Sequence, residues 1–153
     1  MIVIEFENKC AKYRKKAITD AVMFASKTLM PNIRKPVYIN IRTIRKLADK
    51  QGVYGDCMDE GDREFTIRID VSLPLEQMIE TMLHEMVHVW QYVSRRMIYK
   101  WVHEVRFEKA VYSWDMPYDD RPWEIEAHRL EKQLEEKWDG QDGYRKGVYR
   151  NMR

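Results

Sequence analysis

Residues 81–91 read Thr81-Met82-Leu83-His84-Glu85-Met86-Val87-His88-Val89-Trp90-Gln91, and the fold follows from how this stretch is read. The surrounding pattern is helical from Pro74, which suits a first turn, to about Arg96. On that helix Gln77, Thr81, His84, His88, Gln91 and Arg95 fall on one narrow face. Met78, Ile79, Met82, Leu83, Met86, Val87, Val89, Trp90 and Val93 cover most of the remainder. A helix so apolar is buried, and its single polar stripe is expected to line a cleft.

Within the stripe, His84 and His88 are four residues apart. They therefore sit one above the other and can offer two ring nitrogens to one metal ion. Glu85 lies about 100° further round the helix, within reach of a water on that ion. Zinc lowers the pKa of such a water toward about 7, and a carboxylate can take its proton as it attacks a carbonyl. Two imidazoles leave room for a third protein ligand. A purely structural site would need no acid at Glu85. Two surface histidines on a hydrated helix are the bland alternative, and the buried character of the helix argues against it.

Outward from this helix the chain alternates element types. Ile2 to Phe6 reads as a strand, and a helix is expected from a cap at Asn8 to Met30, stopped by Pro31. Its stripe is Tyr13, Ala17, Ala21, Phe24 and Ala25. Val37 to Ile41 and Glu64 to Val71 alternate as half-buried strands, whereas Gly52 to Asp62, rich in Gly and Asp, reads as turns. Met97 to Asp120 is aromatic, carries no clear period, and has room for a short helix. Pro122 opens a last helix to about Trp138 along Trp123, Ala127, Leu130, Leu134 and Trp138. This order predicts a single α+β domain over 1–139, with a small mixed sheet, followed by a loose basic tail over 140–153.

Composition narrows the functional classes. The 27 basic and 25 acidic residues leave a formal charge of +2, which gives no field for nucleic acid or an anionic membrane. Two cysteines, Cys10 and Cys57, make neither a disulfide framework nor a paired metal motif. No run approaches the roughly 18 apolar residues of a membrane span, and the N-terminus lacks the basic start of a signal peptide. The expected setting is a reducing cytoplasm.

The third ligand rests on resemblance. Pro122-Trp123-Glu124-Ile125-Glu126-Ala127-His128 resembles the second motif of gluzincins, where a Glu three residues before an Ala completes the zinc site. That resemblance implies Glu124 as ligand; helical angles alone do not separate it from Glu126. His128 stands where gluzincins usually carry an acid. The rival is His103, followed by Phe107, a spacing similar to that of SprT-like (Spartan-type) proteases acting on DNA-crosslinked proteins. The sequence departs from that pattern in having Glu104 where a Gly is usual. The wider run from Thr81 to Ala127 resembles small, mostly phage-encoded metallopeptidases. It implies a minimal zincin-like domain and, for a phage protein, the host cytoplasm.

The expected function is therefore zinc-dependent hydrolysis of a peptide or protein amide bond. His84, His88 and Glu124 hold Zn²⁺, and Glu85 is general base and proton shuttle. Tyr118, Tyr112, His128 and Arg121 are the candidate oxyanion donors. Zincins add peptide substrates to the strand before the active-site helix, here Glu64 to Asp70, although an interior strand reads almost equally well. Two alternatives stand beside this reading. One is a DNA-associated SprT-like protease using His103, and the other is a non-enzymatic binding module stabilised by metal.

Overall fold

The computed structural model describes residues 1–100, 103–139 and 149. The elements are β1 (Ile2–Phe6), α1 (Lys12–Leu29), β2 (Val37–Ile44), α2 (Leu47–Gln51), β3 (Gly55–Gly61), β4 (Glu64–Asp70), α3 (Leu75–Val93), β5 (Met97–Lys100), β6 (Glu104–Phe107), β7 (Ala110–Ser113) and α4 (Pro122–Asp139). A single 3₁₀ turn, Tyr118–Asp120, precedes α4. This is the α+β architecture expected from the element order.

Four strands form one sheet in the order β1-β2-β4-β3. β1 pairs parallel to β2 and β2 parallel to β4, while β3 runs antiparallel to β4. One face of the sheet (Val37, Ile39, Ile41, Phe65, Ile67 and Ile69) is buried against α1 and α3. α3 packs between α1 and α4, and its Met78, Met82, Leu83, Met86 and Val87 are fully buried. At about 25 cal/mol per Å² of apolar area, these contacts dominate the stability of the domain. Phe24 meets Trp138 edge to face at 5.3 Å and ties α1 to α4. Tyr149, the one described residue of 140–153, is buried and donates from its hydroxyl to Asp20 Oδ2 at 2.7 Å. The rest of the expected tail lies outside the described residues.

Three expectations are corrected. Gly55–Gly61 is a strand rather than a series of turns, and it forms the sheet edge that Glu64 to Asp70 was expected to occupy. Its sequence, Gly-Asp-Cys-Met-Asp-Glu-Gly, hides this because the strand is half-exposed and acidic, as edge strands often are. Strands β5, β6 and β7 pair in a second, antiparallel sheet packed on its own cluster of Met97, Val105, Phe107 and Trp123, and the short helix expected within Met97 to Asp120 is the 3₁₀ turn Tyr118–Asp120. Asn8 does not cap α1, which starts at Lys12 without a side-chain cap. Asn8 instead ties the end of β1 to β2: its Nδ2 donates to the Thr43 carbonyl at 2.6 Å, and its Oδ1 accepts from the Thr43 amide at 2.9 Å.

Two local features bring the edge strand to α3. Gly55 has room for no side chain: a Cβ there would stand 2.8 Å from the Arg68 carbonyl and 2.9 Å from Thr81 Cγ2. Upstream, the buried Asp70 carboxylate accepts from the backbone N–H groups of Lys46, Ala48 and Ser72 at 3.1, 2.9 and 2.8 Å. These bonds hold the chain at the entry to α2, where Lys46 takes a left-handed φ of 57°.

Candidate metal centre

α3 and the first three turns of α4 face each other across a cavity of about 550 Å³. Its walls are the start of β3 (Gly55 to Cys57), the polar stripe of α3 and, from α4, Glu124, His128 and Glu131. The middle of the stripe is buried: His84, His88 and Gln91, with Glu85 beside them, are all below a tenth exposed, whereas Gln77 and Thr81 are partly exposed and Arg95 is exposed beyond the end of α3.

Three side chains meet here through two imidazole nitrogens and both oxygens of one carboxylate. His84 Nε2 lies 3.2 Å from His88 Nε2 and 3.1 Å from Glu124 Oε2, and His88 Nε2 lies 3.2 Å from Glu124 Oε1. With metal–nitrogen and metal–oxygen bonds of about 2.0–2.1 Å, a tetrahedral ion spaces its ligands about 3.3 Å apart. These spacings between the three residues therefore suit a small divalent ion. His128 widens the set, since His84, Glu124 and His128 each offer a ligand atom within 4.8 Å of the others.

The outer nitrogens are also held. His84 Nδ1 donates to Glu131 Oε2 at 2.9 Å, and His88 Nδ1 to Gln91 Oε1 at 2.8 Å. Gln91 is anchored in turn by donating to the Trp123 carbonyl and to Glu126 Oε1, both at 3.0 Å. Each ring is thus held in the orientation that turns Nε2 toward the centre. Sequence reading missed Glu131. It lies seven residues after Glu124 on the same helical face, and that spacing is the signal that could have found it.

Two acids in one cavity are treated oppositely. Burial disfavours the Glu124 charge, but hydrogen bonds from His84 and His88 outweigh it and hold its pKa well below the usual carboxylate range. Glu85 makes no hydrogen bond or ion pair to any described residue, and burial raises its pKa to about 7 against the pull of His88 and His84. Burial likewise opposes charge on His84, yet Glu124 and Glu131 carry its pKa up to about 10. Such opposed shifts in one cleft mark chemical sites more often than structural ones.

The remaining candidates separate clearly. The Tyr118 hydroxyl donates to Glu124 Oε2 at 2.8 Å and lies 3.0 Å from His128 Nε2. His128 Nδ1 is 3.3 Å from Glu131 Oε2. Tyr112 instead packs on Trp123 at 5.9 Å and does not line the cavity. Glu126 points away from the histidines, to Gln91 and Arg96. His103 is exposed in the turn between β5 and β6 and lies outside both the cavity and the metal-capable group. No helix among the described residues is long and apolar enough to cross a membrane. No protein-family model, curated protein or solved structure matches this chain.

Proposed function

We propose that the chain is a zinc-dependent, zincin-like peptidase that hydrolyses peptide or protein amide bonds. The observation that carries this reading is one juxtaposition. His84, His88 and Glu124 converge at 3.1–3.2 Å, and an unpartnered buried carboxylate, Glu85, shares their cavity. A structural metal site closes over four protein ligands and needs no such acid.

Zinc held by these three residues would supply Lewis-acid polarisation of the substrate carbonyl and acidification of a water. The chain's own groups do the rest. Glu85, titrating near 7, takes a proton from the water as its oxygen bonds to the carbonyl carbon. The proton then passes to the amide nitrogen as the C–N bond breaks, which leaves a carboxylic acid and an amine. Tyr118 and His128 stand beside Glu124 as donors to the developing oxyanion. Among the described residues β3 pairs with β4 alone, so its other edge can accept an extended peptide along the cavity.

The test combines metal analysis with Glu85→Gln. The purified protein should hold about one zinc ion per chain and cleave an unfolded protein substrate. Glu85→Gln should keep the zinc and the fold while losing about 10²–10⁴-fold in rate. A Glu85→Gln variant as active as the parent overturns the general-base role, and a chain that takes up no zinc overturns the whole reading.

A further inference from the structure

Among the described residues lining the cavity, the carboxylates are Asp56, Glu85, Glu124 and Glu131, and the one permanent cation is Arg121. Asp56 is paired with Arg68, and Glu124 and Glu131 with histidines. Among the described residues, Arg121 has no carboxylate partner. Its guanidinium is nevertheless fixed: Nε donates to the Met116 carbonyl at 3.2 Å and Nη2 to the Trp114 carbonyl at 2.9 Å. It also lies 5.0 Å over the Trp114 ring and 5.8 Å over the Tyr118 ring. A guanidinium carries five N–H donors, and the others find no acceptor among the described residues.

This group sits close to the chemistry. Tyr118 touches Arg121 through its ring and Glu124 through its hydroxyl at 2.8 Å, so one phenol separates the cation from the metal ligands. An extended substrate advances about 3.3–3.6 Å per residue, so a peptide held in this cavity can reach Arg121 from the metal ligands within a few residues. A preorganised, half-exposed arginine with unused donors suits a carboxylate, which it can grip through two parallel hydrogen bonds.

We propose that Arg121 is a specificity-determining residue that selects peptides with a free carboxylate beside the scissile bond, either the chain's own C-terminus or an Asp or Glu side chain. This rests on the peptidase reading, and the experiment separates the two. Binding of two peptide pairs would be measured by calorimetry on the zinc-loaded Glu85→Gln protein, which does not consume them. The first pair is acetyl-Ala-Ala-Phe as free acid and as amide. The second is acetyl-Ala-Phe-Glu-amide and acetyl-Ala-Phe-Gln-amide. At least one pair should favour the carboxylate about tenfold, and that pair names its source.

Arg121→Gln should abolish the preference while leaving zinc content and affinity for the neutral peptide unchanged, which separates the arginine from direct carboxylate–metal contact. If Arg121→Gln also weakens the neutral peptide, the loop has loosened, and Arg121→Lys decides by keeping at least a threefold preference. Equal binding within both pairs, no binding of any peptide, or a preference that survives Arg121→Gln overturns the proposal. A chain that takes up no zinc fails the peptidase reading alone, because the pairs can still be compared on the metal-free protein.

Discussion

Asp70 and Glu124 are both nearly buried carboxylates held below the ordinary range, yet they belong to different kinds of site. Burial works against the charge of each. For Asp70 the compensating donors are the backbone N–H groups of Ala48, Ser72 and Lys46, which leave its oxygens facing main chain. For Glu124 they are side chains that titrate or bind metal (His84, His88 and Tyr118), and the carboxylate faces a cavity. A buried acid satisfied by backbone fixes a corner. A buried acid satisfied by imidazoles is available for exchange, because an ion can replace the protons those rings donate. The partners, more than the burial, distinguish a structural carboxylate from a functional one.

That contrast can be broken most directly at Glu124. Glu124→Ala should lower zinc affinity by more than the about 10–100-fold that loss of an outer partner costs, and peptidase activity should disappear with the metal. Equilibrium dialysis against a zinc indicator reads it. Retained zinc in this variant would place the third ligand elsewhere.

Asp70→Asn should do the converse. Zinc stoichiometry and activity stay, while stability falls by about 2 kcal/mol through loss of a charged acceptor for three amides. The pH dependence has a definite sign. Because folding lowers the Asp70 pKa, its contribution is present above about pH 4 and is lost as pH falls through the folded-state value. The gap in melting temperature between parent and Asp70→Asn should therefore narrow on acidification. A gap that widened would contradict the assignment.

Glu131→Gln probes an intermediate case, a carboxylate that orients the proposed ligand His84. Zinc affinity is expected to fall about 10–100-fold with the stoichiometry intact, and the absorption spectrum of a cobalt-substituted sample should shift as the His84 ring reorients. An unaltered spectrum and affinity would reduce Glu131 to a surface acid. The smallest effect belongs to His103. Asn tolerates its left-handed φ of 59°, so His103→Asn should change stability by less than about 0.5 kcal/mol and leave zinc untouched. Loss of metal there would favour the rival ligand set.

Much of the centre was legible in one dimension because a helix converts spacing into geometry. The interval from His84 to His88 puts both rings on one face whatever the rest of the chain does, and the apolar residues around them declare α3 buried. The same holds for the α4 stripe, where Ala127, Leu134 and Trp138 are buried as their period requires. What the sequence left open depended on contacts between elements. Glu124 and Glu126 are equivalent on a wheel, and only the packing of α4 against α3 turns one to the histidines and the other to Gln91 and Arg96. β3 is a strand because β4 offers it a partner and Gly55 lets it approach Thr81; its own residues carry no alternation to say so. Short helical intervals are set by covalent geometry and local hydrogen bonds. Which acid faces the histidines, which strand forms the sheet edge and where the Arg121 cation lies are set by where distant segments come to rest, and only the folded chain decides that.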